Sequence, residues 1–159
     1  MLWLIIGGGE QGKLVLASRQ YEDQIGQAPQ VVDAELLAQD TTDKKLLIEQ
    51  LKALLNYDIV DHIHLFLRHI SRVCDQADYD EVIENLLQDL RTRHNEQAET
   101  NRMQMIIIDD IGSGVVPLDY EDRLWRERCG RLYCQLTAEA CTVQRVWAGI
   151  AQTIKRELK

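Results

Sequence analysis

The chain opens with a short apolar run that stops at three glycines and is followed by a glycine–lysine pair. Residues Gly7 to Lys13 fit the spacing G-x-x-x-x-G-K, which is typical of a phosphate-binding loop between a buried strand and a helix. Glycines let backbone N–H groups converge on an anion without β-carbons in the way, and the following helix N-terminus adds a partial positive charge. The pattern therefore predicts a binding site for a nucleoside triphosphate.

The predicted nucleotide contacts are residues of this loop, namely Gly7, Gly8, Gly9, Gln11, Gly12, Lys13 and Leu14. Leu14 stands where a Ser or Thr hydroxyl completes the motif and helps to hold Mg²⁺, so the metal must be held by other groups or not at all. Glu10 adds a negative charge that does not favour a polyphosphate. The alternative is a glycine-rich turn that binds no ligand.

Carboxylates follow two further predicted strands. The segment "YDIVD" ends at Asp61, and "MIIIDD" ends at Asp109 and Asp110. Because ligands of open α/β sheets bind at the carboxyl ends of the strands, we expect these side chains near the glycine loop. We predict that Asp61 and Asp110 hold Mg²⁺, or position or deprotonate an acceptor hydroxyl, and that they form the catalytic set with Lys13. The alternative is that they cap the following turns or helices, and this alternative is favoured for Asp109.

Histidines and arginines form two further candidate groups. If residues 61–65 are extended, His62 and His64 share one face and could bind a metal such as zinc, but partly exposed polar histidines are the commoner outcome. Arg123, Arg126 and Arg131 could face phosphates, although their mixture with acidic residues is typical of a solvated helix face. Of these arginines, Arg126 and Arg131 are predicted nucleotide contacts.

The elements that must position these residues alternate along the chain. Five apolar runs are predicted as strands: Leu2–Ile6, Gln30–Ala34, Tyr57–Asp61, Gln104–Asp109 and Val143–Ala148. Five segments have helical periodicity: Lys13–Tyr21, Asp43–Leu55, 64–73, Asp80–Arg93 and Asp119–Ala140. This alternation predicts a single α/β domain over residues 1–159, with a mostly parallel sheet flanked by helices. The polar segment Asn95–Arg102 is predicted to be a loop.

Composition and charge exclude several classes of function. A formal net charge of −8 over 159 residues disfavours nucleic-acid binding, which needs a basic surface. The apolar N-terminal run lacks the features of a signal peptide, and no stretch approaches the roughly 20 residues needed to span a membrane. The four cysteines form no C-x-x-C pair. We therefore expect reduced thiols and a cytoplasmic location.

Several of these segments together resemble a known family. "GGGEQGKLVLAS", "DIVDHIHLFL", "IIIDDIGSGVVPLDYEDRLWRERCGRLYCQL" and "VWAG" resemble the adenosylcobinamide kinase/adenosylcobinamide-phosphate guanylyltransferase family, which acts late in cobalamin assembly. The likeness is strongest over residues 104–150. It implies a P-loop NTPase-like fold, Mg²⁺ with ATP or GTP as cofactors, and self-association. It also implies phosphorylation of a hydroxyl of adenosylcobinamide, followed by GMP transfer through a guanylylated histidine.

Two departures from the family pattern shape the functional prediction. The family places a His-x-x-x-Arg-Pro-x-x-Trp segment after its second strand, whereas residues 35–56 contain no His, Arg, Pro or Trp. Guanylyl transfer then lacks its imidazole nucleophile. Leu14 separately weakens the kinase half, since it cannot hold the metal. We predict a nucleotide-binding relative with weakened phosphoryl transfer to an alcohol and no guanylyl transfer. The alternative is a non-catalytic member that acts as a regulatory or assembly partner.

Overall fold

The computed structural model of the protein describes residues 1–38, 41–96 and 102–157. Its strands are β1 (Leu2–Gly7), β2 (Val31–Asp33), β3 (Ile59–Asp61), β4 (Gln104–Asp109), β5 (Thr142–Trp147) and β6 (Ile150–Arg156). Its helices are α1 (Lys13–Ile25), α2 (Ala34–Ala38), α3 (Lys44–Leu54), α4 (Ile63–Val73), α5 (Gln76–Glu96) and α6 (Tyr120–Glu139).

The strands form one sheet in the order β2-β3-β4-β1-β5-β6, which confirms the predicted mostly parallel α/β class. Neighbouring strands run parallel, except that β6 pairs antiparallel with β5. The register aligns Asp33 with Asp61, and it aligns Gly7 with Asp109 on one side and Val146 on the other. The carboxyl ends of the parallel strands therefore share one edge of the sheet.

Helices cover both faces of the central strands, which explains why these strands are almost continuously apolar. On one face, Leu4 packs in a cluster with Phe66 of α4 and Leu132 of α6. On the other face, Ile5 packs with Ala17 of α1 and its neighbours. The two clusters hold β1, and with it the start of the glycine loop, in the middle of the sheet.

Two elements lie outside the predicted pattern. Helix α2 begins at Ala34, where a strand is predicted to end, so β2 is only three residues long. Strand β6 is an edge strand whose side chains are mostly exposed, and it therefore lacks the apolar run that marks a buried strand. Ala148 and Gly149 join it to β5 with φ angles of 49° and 76°, as in a two-residue hairpin turn.

The described residues bear on the predictions about membrane spans, cysteines and the polar loop. No described helix combines the length and the apolar character that crossing a membrane requires. The cysteines at 74, 129, 134 and 141 are free thiols, as expected from the sequence. Of the predicted loop Asn95–Arg102, the first two residues belong to α5 instead, and residues 97–101 lie outside the described ranges.

Gly7 generates a prediction about stability, because it lies against the neighbouring strand. A β-carbon at Gly7 would lie 2.5 Å from the carbonyl oxygen of Val146 and 3.3 Å from Cδ of Lys13. We predict that Gly7→Ala lowers the free energy of unfolding by about 1–3 kcal/mol, measured by equilibrium urea denaturation. Gly130→Ala is the matched control, since nothing lies within 4 Å of its added carbon. This helical substitution should stabilise by roughly 0.5–1 kcal/mol. Equal stability of Gly7→Ala and the wild type would contradict the close approach.

Candidate functional site

The glycine loop spans residues 8–12, between β1 and α1, and turns through two left-handed residues. Glu10 has a φ of 55° and Gly12, the N-cap of α1, has a φ of 75°. The Glu10 side chain is exposed. Among the described residues, the backbone N–H groups of residues 9–15 find no hydrogen-bond acceptor. These groups are the donors that an anion at a helix N-terminus accepts from.

Lys13 lies beneath the loop and is only 7% exposed. Its Nζ is 2.6 Å from Oδ1 of Asp109, and it donates a hydrogen bond of 2.6 Å to the carbonyl oxygen of Gly8. Because an ammonium group carries three N–H bonds, one remains for a phosphate oxygen. The structure thus brings the predicted lysine and the predicted glycines together in one site.

Three aspartates lie at the carboxyl ends of neighbouring strands, and the innermost of them pairs with Lys13. Asp33, Asp61 and Asp109 end β2, β3 and β4, which are consecutive in the sheet. Asp61 is buried, and one of its carboxylate oxygens accepts a 2.9 Å hydrogen bond from the N–H of His62. Burial raises the pKa of Asp61, and the positive charges of His62 and Lys13 offset this only in part. A buried carboxylate with a raised pKa is suited to accept a proton.

Asp109, rather than Asp110, contacts Lys13. The carboxylate of Asp110 instead accepts a 3.2 Å hydrogen bond from the N–H of Ser113, so it caps the turn after β4. That is the capping alternative left open for Asp110, whereas the capping favoured for Asp109 is wrong, since its carboxylate pairs with Lys13. The distinguishing signal is the register, because side chains alternate between sheet faces and Asp109 is the residue aligned with Gly7. The catalytic and metal roles of Asp61 and Asp110 remain predictions.

His62 lies between two of the carboxylates. Its Nδ1 is 3.1 Å from Oδ2 of Asp33, and its Nε2 is 4.0 Å from Oδ1 of Asp61. Burial lowers the pKa of His62, but the negative charges of Asp61 and Asp33 outweigh this effect and the net pKa is raised. The condition for a shared face is not met, because His62 has a left-handed φ of 55° and α4 begins at the next residue.

His64 is buried at 2% exposure, so the expectation of a partly exposed polar histidine is wrong for this residue. Its ring stacks on that of Trp125 with centroids 6.4 Å apart, and its Nε2 is 3.7 Å from Oδ2 of Asp109. Burial lowers the pKa of His64 to about 4, although Asp109 opposes the shift. The imidazole is therefore neutral at pH 7. Local sequence pattern does not predict this burial, because Trp125, on which His64 stacks, lies 61 residues further along the chain.

Two sets of side chains have the chemistry of metal ligands. Asp33, Glu35 and His62 offer atoms that all lie within 4.8 Å of one another, and an imidazole with carboxylates suits zinc or manganese better than magnesium. Glu35 and Asp33 carry no role in the sequence prediction. The carboxylates of Asp61 and Asp109 end neighbouring strands, and carboxylate oxygens are ligands of the kind that Mg²⁺ prefers.

The two predicted arginine contacts are engaged elsewhere. Arg126 donates to the carbonyl oxygens of Gly112 and Val115, so it shapes the loop before α6. Arg131 forms an exposed pair of 2.9 Å with Glu127, four residues earlier on α6. No contact between described residues brings either guanidinium group to the glycine loop. Their role as nucleotide contacts stays a prediction.

The hairpin between β5 and β6 contacts the glycine loop through Gln11. The side-chain Oε1 of Gln11 accepts a 2.5 Å hydrogen bond from the N–H of Ala148, and its carbonyl oxygen accepts one of 3.0 Å from the N–H of Gly149. Gln11 thus anchors the loop to the hairpin turn. Trp147, which precedes the turn, is 78% exposed.

The fold and the glycine loop define a protein of the P-loop NTPase-like α/β class. A solved structure of the same fold is the flagellar accessory protein FlaH from Methanocaldococcus jannaschii, with a TM-score of 0.50 over 98% of this chain and 78% of that chain. The two sequences are 12% identical, so this likeness concerns the fold alone. A comparison with curated proteins finds no match.

The family model described as cobinamide kinase / cobinamide phosphate guanyltransferase matches residues 16–154. The chain belongs to this family, which confirms the resemblance drawn from the sequence motifs. The match begins inside α1, so the glycine loop lies just before the matched region.

The burial of His64 should make the free energy of unfolding depend on pH. Because its folded pKa of about 4 lies below the ordinary value of 6.5, the unfolded state takes up a proton first as the pH falls. The free energy of unfolding should therefore decrease between pH 6.5 and 4. By pH 5, His64 should account for about 2 kcal/mol of this loss, measured by urea denaturation of the metal-free protein.

The comparison protein for this measurement is His64→Gln. In this variant, the decrease in the free energy of unfolding between pH 7 and 5 should be smaller by about 2 kcal/mol. His94, whose pKa burial also lowers to about 4, is retained in both proteins and contributes equally. Parallel pH profiles of the wild type and the variant would contradict a buried neutral His64.

Proposed function

We propose that this protein binds ATP or GTP at its glycine loop and, with weakened activity, transfers a phosphoryl group to an alcohol of a cobinamide. The nucleotide-binding part is supported by the backbone N–H groups of residues 9–15, in the loop and the first turn of α1, which lack an acceptor, and by the buried side chain of Lys13. The family to which the chain belongs supports the choice of cobinamide as acceptor.

The side chains at the edge of the sheet suit this reaction. Lys13 would contact the terminal phosphates, and Asp109, which is fixed by Lys13, would hold Mg²⁺. Bound there, Mg²⁺ would supply charge neutralisation for the transferring phosphoryl group. The acceptor hydroxyl would attack the terminal phosphorus as the bond to the leaving diphosphate breaks, and Asp61 would take the hydroxyl proton.

Guanylyl transfer is absent from this proposal because the described histidines do not offer a free nucleophile at the loop. His64 is buried and stacked on Trp125, and His62 is held between Asp33 and Asp61. The segment after β2, where the family carries its histidine, forms α2 and then α3 without one.

A second candidate function is a non-catalytic nucleotide-binding partner, and Leu14 favours it. Its side chain occupies the position of the metal-binding hydroxyl and is 37% exposed. Turnover of Mg-ATP with adenosylcobinamide separates the two candidates. Phosphorylated product above the rate of a Lys13→Ala control supports the kinase, whereas nucleotide binding without product supports the partner.

Nucleotide binding is tested by thermal denaturation with millimolar Mg-ATP or Mg-GTP. A ligand at 100 times its dissociation constant adds about 2.7 kcal/mol to the free energy of unfolding, which is a shift of several degrees. We predict this shift for the wild type and its loss in Lys13→Ala. Lys52→Ala, which removes an exposed lysine on α3, should shift like the wild type. No shift with either nucleotide would overturn the proposal.

The loss of guanylyl transfer is tested by incubation with GTP labelled at the α-phosphate. We predict no acid-labile covalent label on the protein, since residues 35–56 lack the histidine that would form the phosphoramidate. Intact-mass spectrometry gives the same readout without a radioactive label. An acid-labile GMP adduct that disappears in His62→Gln would contradict the assignment and would make His62 a replacement nucleophile.

A further inference from the structure

We propose that Trp147 is the platform on which the nucleobase stacks, an inference that rests on the proposed triphosphate binding at the glycine loop. The indole would take either purine, because stacking uses the face of the base and not its hydrogen-bonding edge. Trp147 would therefore add affinity for ATP and GTP alike without choosing between them.

The direction of the nucleotide follows from the chemistry at the edge of the sheet. On one side of β1, the strands β4, β3 and β2 end in Asp109, Asp61 and Asp33. Carboxylates suit a cation and an acceptor hydroxyl, which must lie at the terminal phosphate. On the other side, β5 and β6 meet in a hairpin that carries Trp147 and Ile150, at 78% and 73% exposure. With the terminal phosphate on the acidic side, the base extends toward the apolar side.

The hairpin lies within reach of a nucleotide held by the loop. Val146 is aligned with Gly7, so Trp147, on the adjacent strand, follows the residue that is level with the last residue before the glycine loop. Gln11 joins the two segments through its hydrogen bonds to the turn. The position of a β-carbon on Gly12 lies 3.7 Å from Cα of Gly149. Trp147 and the phosphate donors are therefore fixed relative to one another.

Trp147 differs from the other two tryptophans in having a free ring. Trp3 is buried in the cluster beside α1. Trp125 stacks against His64, lies under the Arg68 guanidinium and donates its indole N–H to the carbonyl oxygen of His64. In the described chain, the Trp147 ring takes part in no hydrogen bond or ring contact, and its aligned partner across the hairpin is Ile150. A large aromatic ring left in water is available to a ligand.

The test compares ligands with and without a base, by calorimetric titration of the wild type and Trp147→Ala with Mg-ATP, Mg-GTP and magnesium tripolyphosphate. Loss of base stacking should weaken both nucleotides by roughly fivefold to 100-fold and leave tripolyphosphate unchanged. Trp147→Phe should restore most of the affinity. Ile154→Ala, an exposed apolar residue further along β6, is the matched control and should bind like the wild type.

The outcomes separate this inference from the proposed function. Equal affinity of Trp147→Ala and the wild type for both nucleotides would overturn the platform while leaving the loop intact. A similar loss for tripolyphosphate would also overturn it, because the residue would then act on the loop and not on the base. Failure of the wild type to bind any of the three ligands would overturn the proposed function and the platform with it. Quenching of tryptophan emission by Mg-ATP in the wild type, but not in Trp147→Phe, would support the contact.

Discussion

The ion pair between Lys13 and Asp109 is the interaction on which the site depends. A lysine that is 7% exposed needs a paired carboxylate, since an unpaired buried charge is strongly destabilising. Asp109 meets that need because β4 lies directly beside β1, in a register that aligns it with Gly7. The hydrogen bond from Lys13 to the Gly8 carbonyl oxygen then ties the ammonium group to the loop itself. The sheet, the loop and the charge are thus fixed together.

The parallel register has a second consequence, which is an edge with two chemically different sides. β4, β3 and β2 end in aspartates, whereas β5 ends in an exposed tryptophan beside a hairpin turn. The glycine loop lies between these sides and is hydrogen-bonded to the hairpin through Gln11. A site of this form can hold the two ends of one ligand in different surroundings, with the charged end near the carboxylates and the flat end near the aromatic ring.

The parts of the fold that follow from local pattern are predictable from the sequence. The strand Gln104–Asp109 and the glycine loop with Lys13 need only a buried apolar run and a motif to be found. The choice between Asp109 and Asp110 is different, because it depends on which strand lies beside β1, and strand order is decided by packing between distant segments. The burial of His64 likewise depends on Trp125 of a later helix. β6 is not predicted from the sequence, because an exposed edge strand has no apolar run. The structure shows the hairpin by the positive φ angles of Ala148 and Gly149.

The backbone N–H groups of the loop are the proposed binding site for the triphosphate. The most direct measurement is a ¹⁵N–¹H correlation spectrum of the protein during titration with Mg-ATP. The predicted result is that the amide signals of Gly9, Gln11, Gly12 and Lys13 move most, and that they stay in place in Lys13→Ala. Unmoved loop amides at saturating nucleotide, or movement confined to a distant surface, would contradict the account.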